Sequence, residues 1–214
     1  GIYTTEERIQ NLKGTGTSWI TIMAEVQGEV IFRTFTQAFH FTDPEYIILE
    51  GLIFENQTLN GVNIDDGGSY STPAHHIRIK SCEWLKMSAT GNNDELKLSG
   101  LEDFEIIDCI FMNGAHGGSL IDMVGCHRGI IKGNIFRNGG SNSIQAKGGT
   151  SNLKITNNRF LDGGERAINI GGSTGLQFFR PMGAEYEALE IKVWANIFHG
   201  GTSEDVCAGQ RAEY

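Results

Sequence analysis

The stretch that decides the fold runs from residue 120 to residue 160: LIDMVGCHRGIIKGNIFRNGGSNSIQAKGGTSNLKITNNRF. It reads as one unit written nearly twice. Each copy has an alternating segment ending in a glycine turn (IDMVG, IQAKGG) and then a second alternating segment. Each closes on a phenylalanine two residues after an asparagine, Asn134 before Phe136 and Asn158 before Phe160. Alternation with a period of two marks a strand with one buried face. A repeat of this length, made of short strands and glycine turns, has no room for a crossover helix.

Working outward, the closing aromatic recurs at Phe54, Trp84, Phe111, Phe136, Phe160 and Phe198, at intervals of 30, 27, 25, 24 and 38 residues. The long last interval predicts an inserted loop over 173–188. Five residues before each aromatic stand Leu49, Ile79, Ile106, Ile131, Ile155 and Val193. Two residues before stand Leu52, Cys82, Cys109, Asn134, Asn158 and Asn196. A second strand follows each aromatic, in GVNIDD, ELKLSG, LIDMVG, IQAKGG and AINIGG. This pattern predicts an all-β chain, a right-handed parallel β-helix of stacked coils about 4.8 Å apart, like on like. The aromatics become an internal stack. Asn134 and Asn158 become a side-chain ladder, seated in left-handed turns and bonded to the next coil. Cys82 and Cys109, in one column, read as buried free thiols.

Composition agrees. Of 214 residues, 29 are glycine and 3 proline, which excludes a collagen-like or proline-rich chain and places the glycines in tight turns. The 39% hydrophobic content supports a packed core and one domain over 1–214. A net charge of −9 with no basic stripe argues against a nucleic-acid partner. No apolar run approaches the ~18 residues that span a bilayer, so no membrane partner is read, and no signal-peptide pattern opens the chain. At the start, TTEERIQNLKG (4–14) carries a Thr4…Glu7 capping-box spacing and predicts a short helix plugging the first coil. At the end, GTSEDVCAGQRAEY carries no comparable plug. The expectation there is a shortened chain, or an open end covered by another copy in a homo-oligomer.

The outward positions of the second strand stack into columns. One reads His40, Asn63, Lys97, Asp122, Gln145, Asn169, and its neighbour reads Thr42, Asp65, Ser99, Val124, Lys147, Gly171, flanked by Asp66, Glu95, His127, Arg128 and Arg166. A shallow polar groove along a solenoid suits an extended polymer. The plain reading is a salt-bridged surface, with Lys97 against Asp122. The functional readings are two. In β-elimination on a uronic acid, Lys147 or Lys97 is the base, Arg166 or Arg128 neutralises the carboxylate, and Asp65, Asp66 and Asp122 hold Ca²⁺. In hydrolysis, two carboxylates such as Asp65 and Asp122 flank the bond, two coils or roughly 9–10 Å apart. His40, Asn63, Asp122, Gln145, Asn169, His127 and Arg128 are the candidate substrate contacts. The Gly-rich GTGTS and GGSTG segments lack the Lys-Ser/Thr of a phosphate loop, and His75, His76 and His116 read as isolated histidines.

With NIDDGGS, ELKLSG, IDMVGCHRG, IQAKGG, RAINIGGSTG and FFRP in view, the chain resembles bacterial right-handed parallel β-helix proteins of the pectate-lyase-like superfamily. Among characterised members, it is most similar to the chondroitinase B and alginate lyase family. The resemblance implies a polysaccharide lyase acting on an acidic polysaccharide, outside the cell or in the periplasm, with a lysine base, an arginine on the next coil and Ca²⁺. IQAKGG places Lys147 where that lysine would sit. Arg166 lies near the expected arginine, with Asn169 nearer in register. SNSIQ carries no glutamate, so the family's Ca²⁺ ligands are not matched. A non-catalytic glycan-binding or structural solenoid and an inverting hydrolase are the alternatives.

Overall fold

The computed structural model describes residues 1–200 except Tyr70 and Ser173, together with the backbone of Glu204–Ala208. Among these residues the chain winds into three parallel sheets of 8, 8 and 7 strands. Every strand pair is parallel and links each coil to the next. Sheet A carries the aromatic column and sheet B the polar columns. Sheet C receives the chain after each glycine corner, as in Leu101–Ile107 and Thr150–Thr156. The only helix among the described residues is the 3-10 turn Leu176–Phe178, and none is long and apolar enough to cross a membrane.

The core follows the alternation. On sheet B, Val62, Ile64, Leu96, Leu98, Ile121, Met123, Ile144, Ala146, Ile168 and Ile170 are all buried. On sheet A, Phe32, Phe54, Trp84, Phe111, Phe136, Phe160 and Phe198 stack ring on ring. Centroid spacings run from 4.6 Å (Trp84–Phe111) to 5.7 Å (Phe32–Phe54). Tyr3 and Phe32 extend the column by two rings beyond the six in the repeat.

The asparagine ladder forms, with one change. Asn134 Oδ1 accepts from Cys109 N at 2.8 Å, Asn158 Oδ1 from Asn134 N at 2.9 Å, and Asn196 Oδ1 from Asn158 N at 2.9 Å. The left-handed residue is the one before each ladder position: Asp108 before Cys109, and Gly133, Asn157 and Ala195 before the three asparagines, have φ of 53°, 73°, 57° and 54°. The ladder side chains turn inward and cap the carbonyls of the neighbouring coil. Cys82, Cys109 and Cys126 are free and buried, and burial pushes the Cys82 thiol up to about 12.

The expected N-terminal helix is absent. Glu7–Gln10 is the first strand of sheet B, with Ile9 opposite Phe41 and Arg8 opposite His40. An alternating ERIQ next to an unpaired strand edge gains a ladder of hydrogen bonds and packs Ile9 on the core, which outweighs a two-turn helix. The expectations for the C-terminal end, the lack of a plug and a shortened or subunit-covered last coil, fall on 201–203, 209–214 and the side chains of 204–208, outside the described residues.

Candidate functional site

The polar columns align as the repeat requires. His40, Asn63, Lys97, Asp122, Gln145 and Asn169 pair in register across sheet B, as do Thr42, Asp65, Ser99, Val124 and Lys147. Successive coils thus place two lysines beside one carboxylate. Lys97 Nζ donates to Asp122 Oδ2, and Lys147 Nζ lies 3.1 Å from Asp122 Oδ1. Asp122 is 1% exposed. Asp94, also buried, sits on the other side of Lys97 at 3.5 Å and accepts from Ser119 N.

Burial governs the ionisation of this cluster. It lowers both lysines from their ordinary value, opposed by the charges of Asp94 on Lys97 and of Asp94 and Glu187 on Lys147. It raises Asp94, opposed chiefly by Lys97. An ammonium stripped of water releases its proton more readily, which suits a lysine for base chemistry.

The insertion completes the site. Its two ends are tied by buried Glu187, which accepts from Gly148 N at 2.7 Å and Thr174 N at 2.8 Å. In its middle Phe179 is buried, Phe178 is exposed, and Arg180 reaches back 114 residues to Asp66, with Nη2–Oδ1 at 2.9 Å and Nε donating to Oδ2. Between this segment and sheet B lies a cleft of about 400 Å³, lined by Asn92, Lys97, Ser99, Val124, Lys147, Thr174, Gly175, Phe178 and Arg180. Among the described residues, three cations line this cleft and no carboxylate does. Their counter-charges Asp66, Asp94 and Asp122 are at most 2% exposed and lie behind it.

The other sequence candidates are placed elsewhere. Arg166 pairs in register with Asn142, five residues along the strand from Lys147, or about 16 Å at the usual rise. Its guanidinium lies 3.7 Å from Glu165. Gln145 accepts from Asn142 at 3.0 Å and spans to Gly171 O. His40 bonds Asp65 at 2.6 Å and Asn63 at 3.2 Å, one coil or more before Lys97. His127 Nδ1 meets Ser151 Oγ at 2.8 Å, and burial lowers its pKa; Arg128 is held by Asp103 and Glu102. Both line a second cleft of about 300 Å³ on the far side of Arg180.

Asp65, Asp66 and Asp122 do not fit a shared Ca²⁺. Each already faces a different partner, His40, Arg180 and the two lysines, and no group of three or more metal-ligating side chains occurs among the described residues. Asp94 and Glu187 are site residues that sequence reasoning missed, and Arg180 enters it only within the FFRP segment. Asp94 lies one step before the alternating segment, and the other two lie in a loop with no period.

The chain matches the right-handed beta helix region family over residues 2–180. It belongs to that family. Its fold is shared with the crystal structure of an alginate lyase from Paenibacillus sp. str. FPU-7, at 15% identity and a TM-score of 0.65, covering 94% of this chain and 88% of that one. It is also shared with pectate lyase Pel9A, at 13% identity and a TM-score of 0.51, covering 100% and 68%. No curated protein matches the chain by sequence.

Proposed function

We propose that this β-helix protein is a polysaccharide lyase that cleaves an acidic, uronate-containing polysaccharide by β-elimination in the Lys97–Lys147 cleft. The observation that carries the reading is the sign of the cleft. A chain of net charge −9 presents Lys97, Lys147 and Arg180 on one concave surface and buries their carboxylates behind it. Such a surface attracts a polyanion against the field of the whole molecule.

Elimination needs a base for the proton α to the carboxylate. Lys147, whose pKa is lowered by burial, takes the C5 proton once its ammonium has released its own proton to solvent, while Lys97 and Arg180 keep the cleft positive. The electron pair of the C5–H bond forms the C4=C5 double bond, the C4–O bond breaks, and the leaving oxygen acquires a proton from water. Lys97 stabilises the negative charge that gathers on the uronate carboxylate. The likeness to an alginate lyase and a pectate lyase supports this substrate class.

A second reading, binding without cleavage, is favoured by the pairing of both lysines with Asp122. The two part in one assay. Incubation with alginate, pectate and unsulfated chondroitin should produce the ultraviolet absorbance of a conjugated unsaturated uronate from at least one polymer, and Lys147→Ala should abolish it. Retention of the polymers in affinity electrophoresis without any new absorbance would establish the binding module instead.

A further inference from the structure

We infer that Arg180, supplied by the insertion, is the residue that selects the substrate's carboxylate. The inference rests on the reading of the cleft as a polyuronate site, and extends it to a residue outside the repeat. Arg180 lines both clefts, that of Lys97 and Lys147 and that of His127 and Arg128. A polymer occupying either one meets it.

The solenoid is built to receive this side chain. Three glycines on successive coils, Gly100, Gly125 and Gly149, form the corner on which it lies. A methyl group at Gly125 would stand 2.5 Å from Arg180 Cβ, at Gly149 2.2 Å from Arg180 O, and at Gly100 2.8 Å from Arg180 Nε. Arg180 N also donates to Gly148 O at 3.0 Å. Asp66, 2% exposed, takes the Nε and Nη2 edge of the guanidinium, and Phe178 O accepts from Nη1 at 3.2 Å. The plane of the fork is therefore fixed from two sides at the shared wall of the clefts. A fixed guanidinium recognises a planar carboxylate with less ordering cost than a lysine on a free stem. Asp66 acts through Arg180 and is a positioning residue.

A purely structural Arg180 would pin the insertion and leave ligand discrimination untouched, so discrimination is the readout. Calorimetry is run with tetramers of mannuronate, galacturonate and unsulfated chondroitin, each beside its carboxyl-reduced neutral counterpart. Wild type should bind at least one acidic tetramer well above its neutral counterpart. Arg180→Ala should weaken the acidic tetramer by about tenfold or more and leave the neutral one within about twofold, the loss expected for one charge-assisted contact. Arg180→Lys keeps the stem and the charge that seat the insertion, and should fall between. In turnover the loss should appear mainly in KM. If both variants keep the full preference for the acidic tetramer, or if wild type shows no such preference, the assignment is overturned. An Arg180-dependent preference in a protein that cleaves nothing would sink the lyase reading alone, while cleavage with unchanged preference in the variants would sink this one alone.

Discussion

Replacing Asn158 by alanine tests what holds the coils together. The Asn158 side chain is fully buried and makes four hydrogen bonds. It accepts from Asn134 N at 2.9 Å and Asn134 Nδ2 at 3.0 Å, and donates to Ile131 O and Asn196 Oδ1, each at 3.0 Å. Truncation removes all four bonds, although Asn196 Oδ1 keeps the Asn158 backbone N–H and Asn134 Nδ2 keeps its bond to Ile106 O. A buried polar group left unpaired costs about 1–3 kcal/mol. The four are not additive, since Asn134 can reorient its amide and one water can occupy part of the vacated space, so a loss of about 3–5 kcal/mol is expected. Asn196→Ala is the internal control. Asn196 makes three of the corresponding bonds one rung later but is only half-buried, so water replaces its partners and the expected loss is about 1–2 kcal/mol. Urea unfolding should be followed by far-ultraviolet and near-ultraviolet circular dichroism together, because coincidence of the two checks that the solenoid unfolds as one unit. Equal losses for the two variants, or a loss below about 1 kcal/mol for Asn158→Ala, would refute the ladder as a stabilising element.

Other expectations are as direct. Glu95 is fully buried and neither carboxyl oxygen has a hydrogen-bond partner among the described residues; burial raises its pKa well above 4.5. The unfolded chain ionises this group above about pH 4.5 while the folded one keeps its proton, so Glu95 costs stability as pH rises, by up to about 1.4 kcal/mol per pH unit until the folded pKa is reached. Glu95→Gln should therefore be more stable than wild type at neutral pH, with the gain vanishing in acid; an advantage independent of pH would contradict this. For the reaction, a Lys147 base must be neutral, so kcat/KM should rise with pH and level off with a midpoint below 10.5, and a midpoint at or above that value would exclude the burial effect. Because Asp66 and Asp122 are matched with cationic partners and Asp65 is bonded to His40, chelator should leave the rate unchanged, and a rate abolished by chelator and restored by Ca²⁺ would place ligands elsewhere. Gly125→Ala, at φ 61° and against Arg180 Cβ, should displace the insertion and raise protease sensitivity within 173–188 while the urea midpoint of the solenoid shifts little.

The parts of the fold legible in the sequence are those written into every coil. A parallel solenoid sets like against like, so the column from His40 to Asn169 and the aromatic column need only an alignment of the repeats. The parts that escape such a reading do not repeat. The spacing Thr4…Glu7 marks a helix start only when the segment has no strand edge to join, and Phe39–Thr42 offers one. Proximity on the next coil is a poor guide for Arg166, because a place in the sequence does not fix position along a strand; its register with Asn142 does. Arg180 stands in the FFRP segment, but its bond to Asp66, across 114 residues, leaves no local signal. Asp94 is hidden by its place at a corner, where inside and outside no longer alternate.

The most direct measurement of the central claim is the mass of the products released from the acidic polymer that binds. Elimination at Lys147 requires new non-reducing ends one water lighter than those of hydrolysis, formed by wild type and lost in Lys147→Ala. Products carrying the added water, or unsaturated products made by Lys147→Ala at the full rate, would contradict it.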